Sequence, residues 1–424
     1  MWGSDDKSKD VTEDRLSRII FFCFAAFLFF LPLYEAPKNI FSVLFVLLGG
    51  WDAFRRKKAA DQFKRKDLVA WAFLLLAISP FVAGLNSPFM DLPSLLSSAL
   101  NWALMPLVGL VMILVKFSKT LLLWALRSFC LGSVVAVGEA FFSWSGSPGT
   151  FPELNSVGHV NQSALYLAFS LIPAILLLIL RESTFDLFLG LSVIVACFAF
   201  QAPALSLVGF SVCLALMGCM CIIYCWNRSY LKTLVGFLVL GFSALSFLVT
   251  QPPEVLGPYG ALKSELLSRL SSTTDPFSQR DRLVNTAIEV AGDSLLGFGI
   301  GSFGVATQAP EIRKRVESNG KDWAVERGNY FSANHGHNIF ANLLVERGWV
   351  GVFSIGTFLF YLLIRFGGSI RVEDSQIGLV VVVAICVAGL GQSTLHVEHG
   401  QLAFICLVLC LLFPEASSEP EFRR

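Results

Sequence analysis

The feature that most constrains this chain is a succession of long apolar runs. A helix needs roughly 20 apolar residues to cross the ~30 Å hydrocarbon core of a bilayer. Twelve stretches approach or reach that length, at about 17–34, 38–51, 67–84, 95–115, 120–141, 161–180, 184–201, 204–225, 231–249, 338–365, 375–393 and 400–414. The second is short and draws on its flanks, and the apolar run barely pauses at Gln201–Pro203. Composition agrees: 55% of the 424 residues are hydrophobic and only 15% are charged, against about 25% in an average soluble protein. The expected fold is an all-α polytopic membrane protein of about twelve transmembrane helices.

Charge sets the expected orientation. The loop after the second run carries Arg55, Arg56, Lys57, Lys58, Lys64, Arg65 and Lys66, and such basic loops stay in the cytoplasm. Lys116, Lys119, Arg181, Arg228, Lys232, Arg365 and Arg371 then fall on the same side, and both termini are expected there too. Three outer connections follow: residues 142–160, a long segment of about 250–336, and a turn around His396–Gly400. The expected division is therefore nine helices in 1–249, a large outer loop with short helices in 250–336, and three helices with a short cytoplasmic tail in 337–424. Arg127 lies inside the fifth run, where a charge is costly. The expectation is an interfacial helix over Lys119–Arg127, with the span starting later.

The net charge of +1 offers no basic surface for nucleic acid. The ten cysteines lie in or beside apolar runs. They read as small buried hydrophobes, with neither a disulfide framework nor a zinc finger.

Polar chemistry gathers on the outer side. All five histidines, His159, His335, His337, His396 and His399, map there. The segment His335-Gly-His337-Asn338 leads into the run at 338–365, where Asn338, Asn342 and Glu346 share one helical stripe. An imidazole at the membrane surface can act as a base or donate to an anion; the plain alternative is a capped helix N-terminus. Upstream, Asp275-Pro276 starts a helix well, and that helix carries Arg280 and Arg282 on opposed faces. An arginine fork suits a phosphate or diphosphate, and a solvated amphipathic helix is the alternative. Gly297-Phe-Gly299-Ile-Gly301-Ser-Phe-Gly304 contains a formal G-x-G-x-x-G. With no βαβ unit around it, the dinucleotide reading fails, and a turn that lets backbone approach a ligand is expected. His335, His337, His396, Glu398 and His399 could bind zinc if they met, but nothing in their spacing brings them together, so no metal site is expected.

The order of these parts resembles the O-antigen ligase and Wzy-type O-antigen polymerase family of bacterial envelope proteins. Its pattern is S-G-R-x-x-x-W, then G-x-G-x-x-x-F, then H-x-H-N, then L-x-E-x-G-x-x-G. Here the parts read Ser278-Gln-Arg280-Asp-Arg282-Leu-Val284, Gly299-Ile-Gly301-Ser-Phe303, His335-Gly-His337-Asn338, and Leu344-Val-Glu346-Arg-Gly348-Trp-Val-Gly351. Leu154-Asn155-Ser-Val-Gly-His159-Val-Asn161 resembles the family's asparagine-bearing segment, and the likeness covers about residues 145–365. Two features depart from the pattern. The tryptophan position is Val284, and the place of an arginine in Ser-Arg-Gly is Gln201-Ala-Pro203-Ala-Leu-Ser206. Arg282, Arg269 or Arg327 would have to take over that arginine's role.

The resemblance implies a multi-pass protein of the bacterial inner membrane with its active site facing the periplasm. It implies transfer of a glycan from undecaprenyl diphosphate to the lipid A core (ligase) or to a second lipid-linked glycan (polymerase), with inversion and without cofactor or metal. Membrane lipids would be its surroundings. His337 matches the family's essential histidine and Arg280 its arginine. Arg282, Asn338, His335, Asn155, Asn161 and Glu346 would contact substrate. Of the two acceptors the lipid A core is favoured, because a loop with several arginines suits an anionic core. The rival of another class is a flippase or transporter of lipid-linked glycans, which should carry polar residues down a central cavity on several spans.

Overall fold

Within a bilayer, backbone N–H and C=O groups must bond inside their own segment, and an α-helix does this. A computed structural model describes residues 6–56, 68–83, 91–115, 117–144, 152–204, 284–285, 287–292, 294–307, 338–367, 373–391 and 397–417, with a few isolated positions besides. Among these the chain is helical, without a strand; an isolated bridge between Leu154 and Gly158 is its one β-type pairing. The helices are α1 (Asp6–Phe30), α2 (Glu35–Arg55), α3 (Leu68–Val82), α4 (Leu92–Val115), α5 (Lys119–Ser143), α6 (Val160–Leu180), α7 (Thr184–Ala204), the short α8 (Phe303–Thr307), α9 (Ile339–Gly367), α10 (Glu373–Gly391) and α11 (Val397–Ser417).

Each expected apolar run within the described residues is a helix; the runs at 204–225 and 231–249 fall almost wholly outside them. Five stretches are long and apolar enough to cross a membrane: Leu92–Val115, Thr120–Ser143, Val160–Leu180, Thr184–Gln201 and Ile339–Gly367. α2 absorbs its flanks from Glu35 to Arg55, which lengthens the short second run into six turns.

The chain divides into two compact units, 1–71 with 107–213 and 404–424, and 72–106 with 214–403. In the first, α1 packs on α2 and α5, and α5 also meets α6 and α7. Phe24, Phe45 and Phe117 stack at its centre, with centroids 4.8 and 5.1 Å from Phe24. α6 is buried along most of its length.

α5 runs unbroken through Arg127, so no separate interfacial helix precedes it. The cost of that charge is met by a partner on α7: Nε and Nη2 of Arg127 donate to the two oxygens of Asp186 at 2.6 and 2.9 Å. Asp186 also accepts from the N–H groups of Glu182 and Ser183 and from the Ser183 hydroxyl. The carboxylate is thus fully bonded, as a buried charge must be.

In the second unit α9 packs on α10, and Phe73 meets Phe358 edge-on at 5.0 Å. A small core of Ala287, Val290, Phe298, Phe303, Ala306, Ala341 and Val345 joins the glycine-rich segment to the start of α9.

Candidate functional site

The richest polar geometry among the described residues lies where the glycine-rich segment meets α9. The helix begins at Asn338, whose side-chain oxygen accepts from the N–H groups of Phe340 and Ala341 at 2.8 and 3.1 Å. This is N-capping, which satisfies donors that the first turn leaves free.

Three turns on, α9 breaks. Gly348 has φ 60° and ψ −160°, dividing the element into two helical halves. That backbone region is open in practice to glycine alone. A break strands carbonyls and N–H groups that the helix would have paired, and the upstream segment takes them up. Phe298 and Gly299 donate their N–H groups to the carbonyls of Val345 and Glu346 at 2.9 and 2.8 Å, and Trp349 donates to the Leu295 carbonyl at 3.1 Å. The approach is so close that a side chain at Gly297 would strike the backbone of Glu346, Arg347 and Gly348, and one at Gly348 would strike Leu295. The turn itself is held by the hydroxyls of Ser294 and Ser302, which donate to the carbonyls of Gly297 and Gly299 at 2.9 and 2.6 Å.

The glycines therefore let backbone come close to the broken helix.

Glu346 and Arg347 lie just before the break, and both are buried. The Glu346 carboxylate turns to the glycine-rich segment and accepts from the Gly301 N–H at 3.0 Å, with the Phe303 N–H as a further donor. Arg347 turns elsewhere. Its guanidinium carbon lies 3.3 Å from the centroid of the Trp102 ring. Its Nε and Nη1 are buried and have no hydrogen-bond partner. Sequence reasoning passed over Arg347 as a variable position between Glu346 and Gly348. The signal was present: Glu346 and Arg347 are the charges in the interior of the apolar run at 338–365, where a charge asks for a reason.

The expected stripe of Asn338, Asn342 and Glu346 is real as helical register, and all three are buried. Asn338 and Glu346 turn side-chain oxygens to the protein's own backbone. Val284, at the position where the family pattern has tryptophan, packs against the small core and keeps the position apolar. In the first unit, Leu154–Gly158 forms a tight turn; Asn155 is exposed in it and Asn161 half-buried in the first turn of α6. His159 caps that helix, its Nδ1 accepting from the Asn161 N–H at 3.2 Å. His337, His335, Arg280 and Arg282 lie outside the described residues, as do Arg269 and Arg327. No group of three or more His, Cys, Asp or Glu side chains among the described residues could hold a metal; His335, His337 and His396 fall outside them.

Compared with known proteins, the chain matches no protein-family model and no curated protein sequence.

Proposed function

We propose that the protein is a glycosyltransferase of the bacterial inner membrane that moves a glycan from undecaprenyl diphosphate to the lipid A core at the periplasmic face. The observation that most supports this is the joint just described. Two motifs read in order along the sequence, Gly299-x-Gly301 and Leu344-x-Glu346-x-Gly348, are bonded to each other across 45 residues through Gly301 and Glu346. A chance likeness would give no reason for the two to meet.

In this reading the chain crosses the membrane twelve times with both termini inside, and residues 250–336 form the periplasmic loop. The leaving group is a lipid diphosphate whose charge grows as the glycosidic bond breaks. Arg280 stabilises that charge. His337, one residue before the Asn338 cap, deprotonates the acceptor hydroxyl, which attacks the anomeric carbon from the opposite side with inversion. The joint holds the first half of α9 in place.

The test is deletion of the gene in its host, complementation with wild type, His337→Ala or Arg280→Ala, and a gel of the envelope polysaccharide. Bare lipid A core with long chains left on the carrier is the expected result, and loss of His337 lowers transfer by about a hundredfold or more. A single repeat unit on lipid A would instead make the protein the polymerase. Full transfer by both variants would sink the assignment of the site.

A second reading, a transporter of lipid-linked glycans, draws on one specific observation. A broken helix with buried charges is common in transporters, and α9 has both. Carrier-linked glycan gathering on the cytoplasmic face of the deletion strain would favour it.

A further inference from the structure

We infer that Arg347, held on Trp102 beside the break in α9, is the receptor for the phosphate oxygens of an anionic amphiphile. Arg347 and Trp102 are each 3% exposed, and the guanidinium carbon sits over the indole ring, 3.3 Å from its centroid. A cation–π contact satisfies the face of the guanidinium, not its N–H groups. Nε and Nη1 make no hydrogen bond. The nearest carboxylate in sequence, Glu346, is turned to Gly301.

Buried donors without partners are rare in native proteins, and more so on a charge. The protein also makes room for this side chain. A Cβ at Gly351 would run into the Cβ, Cγ and Cδ atoms of Arg347, so the glycine leaves the arm free to lie along α9 and reach the indole.

Geometry narrows the ligand. Trp102 covers a face, so the plane of the guanidinium is left for hydrogen bonding. Nε and Nη1 do not share one edge of that plane. Donors on separate edges call for a ligand with several acceptor oxygens, and a phosphate or diphosphate has more of them than a carboxylate. α9 is long and apolar enough to cross a membrane, which puts a lipid tail within reach of the same site. The inference stands apart from the transferase reading, since a transporter of such amphiphiles needs the same receptor.

Direct binding tests it, with the full-length protein in a neutral detergent and isothermal titration of dodecyl phosphate, dodecanol and inorganic phosphate. Dodecyl phosphate is expected to bind at least tenfold more tightly than dodecanol, and Arg347→Gln to abolish that preference. Arg347→Lys, which keeps the charge and loses the fork, is expected to weaken binding at least threefold; it decides the matter if the glutamine variant does not fold. Inorganic phosphate binding with the same sensitivity to Arg347 supports the oxyanion site and makes its source aqueous. Equal binding of the phosphate and the alcohol, or wild-type affinity in both variants, overturns the proposal.

Discussion

Gly348 and Gly297 meet backbone to backbone, and a methyl group on either has nowhere to go. At Gly348 the dihedral angles alone cost an alanine about 1–3 kcal/mol, before any clash with Leu295. Gly348→Ala should therefore lower the melting temperature of the detergent-solubilised protein by several degrees and reduce function with it; an unchanged melt would mean that the joint does not form. Glu346 allows a finer test. Glu346→Gln keeps an oxygen for the Gly301 N–H, while Glu346→Ala leaves that donor bare at a cost of about 1–3 kcal/mol. The glutamine variant should be the more stable of the two, and an equal loss in both would show that charge rather than hydrogen bonding matters at this position.

The α5–α7 clasp is the clearest case among whole helices. Removing one member of a buried ion pair costs about 3–5 kcal/mol, whereas replacing both with apolar residues of similar size is often neutral. Arg127→Ala should thus destabilise strongly, and Arg127→Met with Asp186→Leu should recover most of the loss in denaturant titration. A double variant worse than the single would show that the charges serve something other than packing. The start of α4 behaves differently. Asp91 accepts from the Ser94 N–H at 3.1 Å, and hydrogen bonds from the Ser94 hydroxyl and backbone hold its carboxyl below the usual range. A lowered folded-state value means that the cap contributes above about pH 4 and is lost as pH falls through its folded value. Hydrogen exchange at the first turn of α4 should quicken there, and Asp91→Asn should remove that pH dependence. These elements were legible to different depths. Hydropathy is local, so the presence of these helices could be read from the sequence, although α1 starts ahead of residue 17 and α2 extends beyond 38–51 on both sides. The partner of Arg127 could not, because Asp186 is 59 residues away and only packing brings the two together. The break in α9 escaped for the same reason: the bonds that make it tolerable come from Leu295–Gly301, and nothing within α9 names them.

For the molecule as a whole, the proposed topology makes a plain prediction. Cysteines placed between residues 250 and 336 should react with an impermeant maleimide added to intact spheroplasts, against a low background, because most of the described native cysteines are buried. Labelling only after lysis would end the topology and the transferase reading together. Activity should also survive chelators, since the proposed chemistry uses an arginine and a histidine. The joint at Gly348 has one more consequence. Phe303 and Ala341 share a core, so the described chain before residue 308 and after residue 337 is anchored at nearly the same place. Between two ends fixed so close together, length is cheap: doubling a flexible connection adds only about 0.6 kcal/mol in closure entropy, so the helices can stay as they are while the number of residues joining them changes.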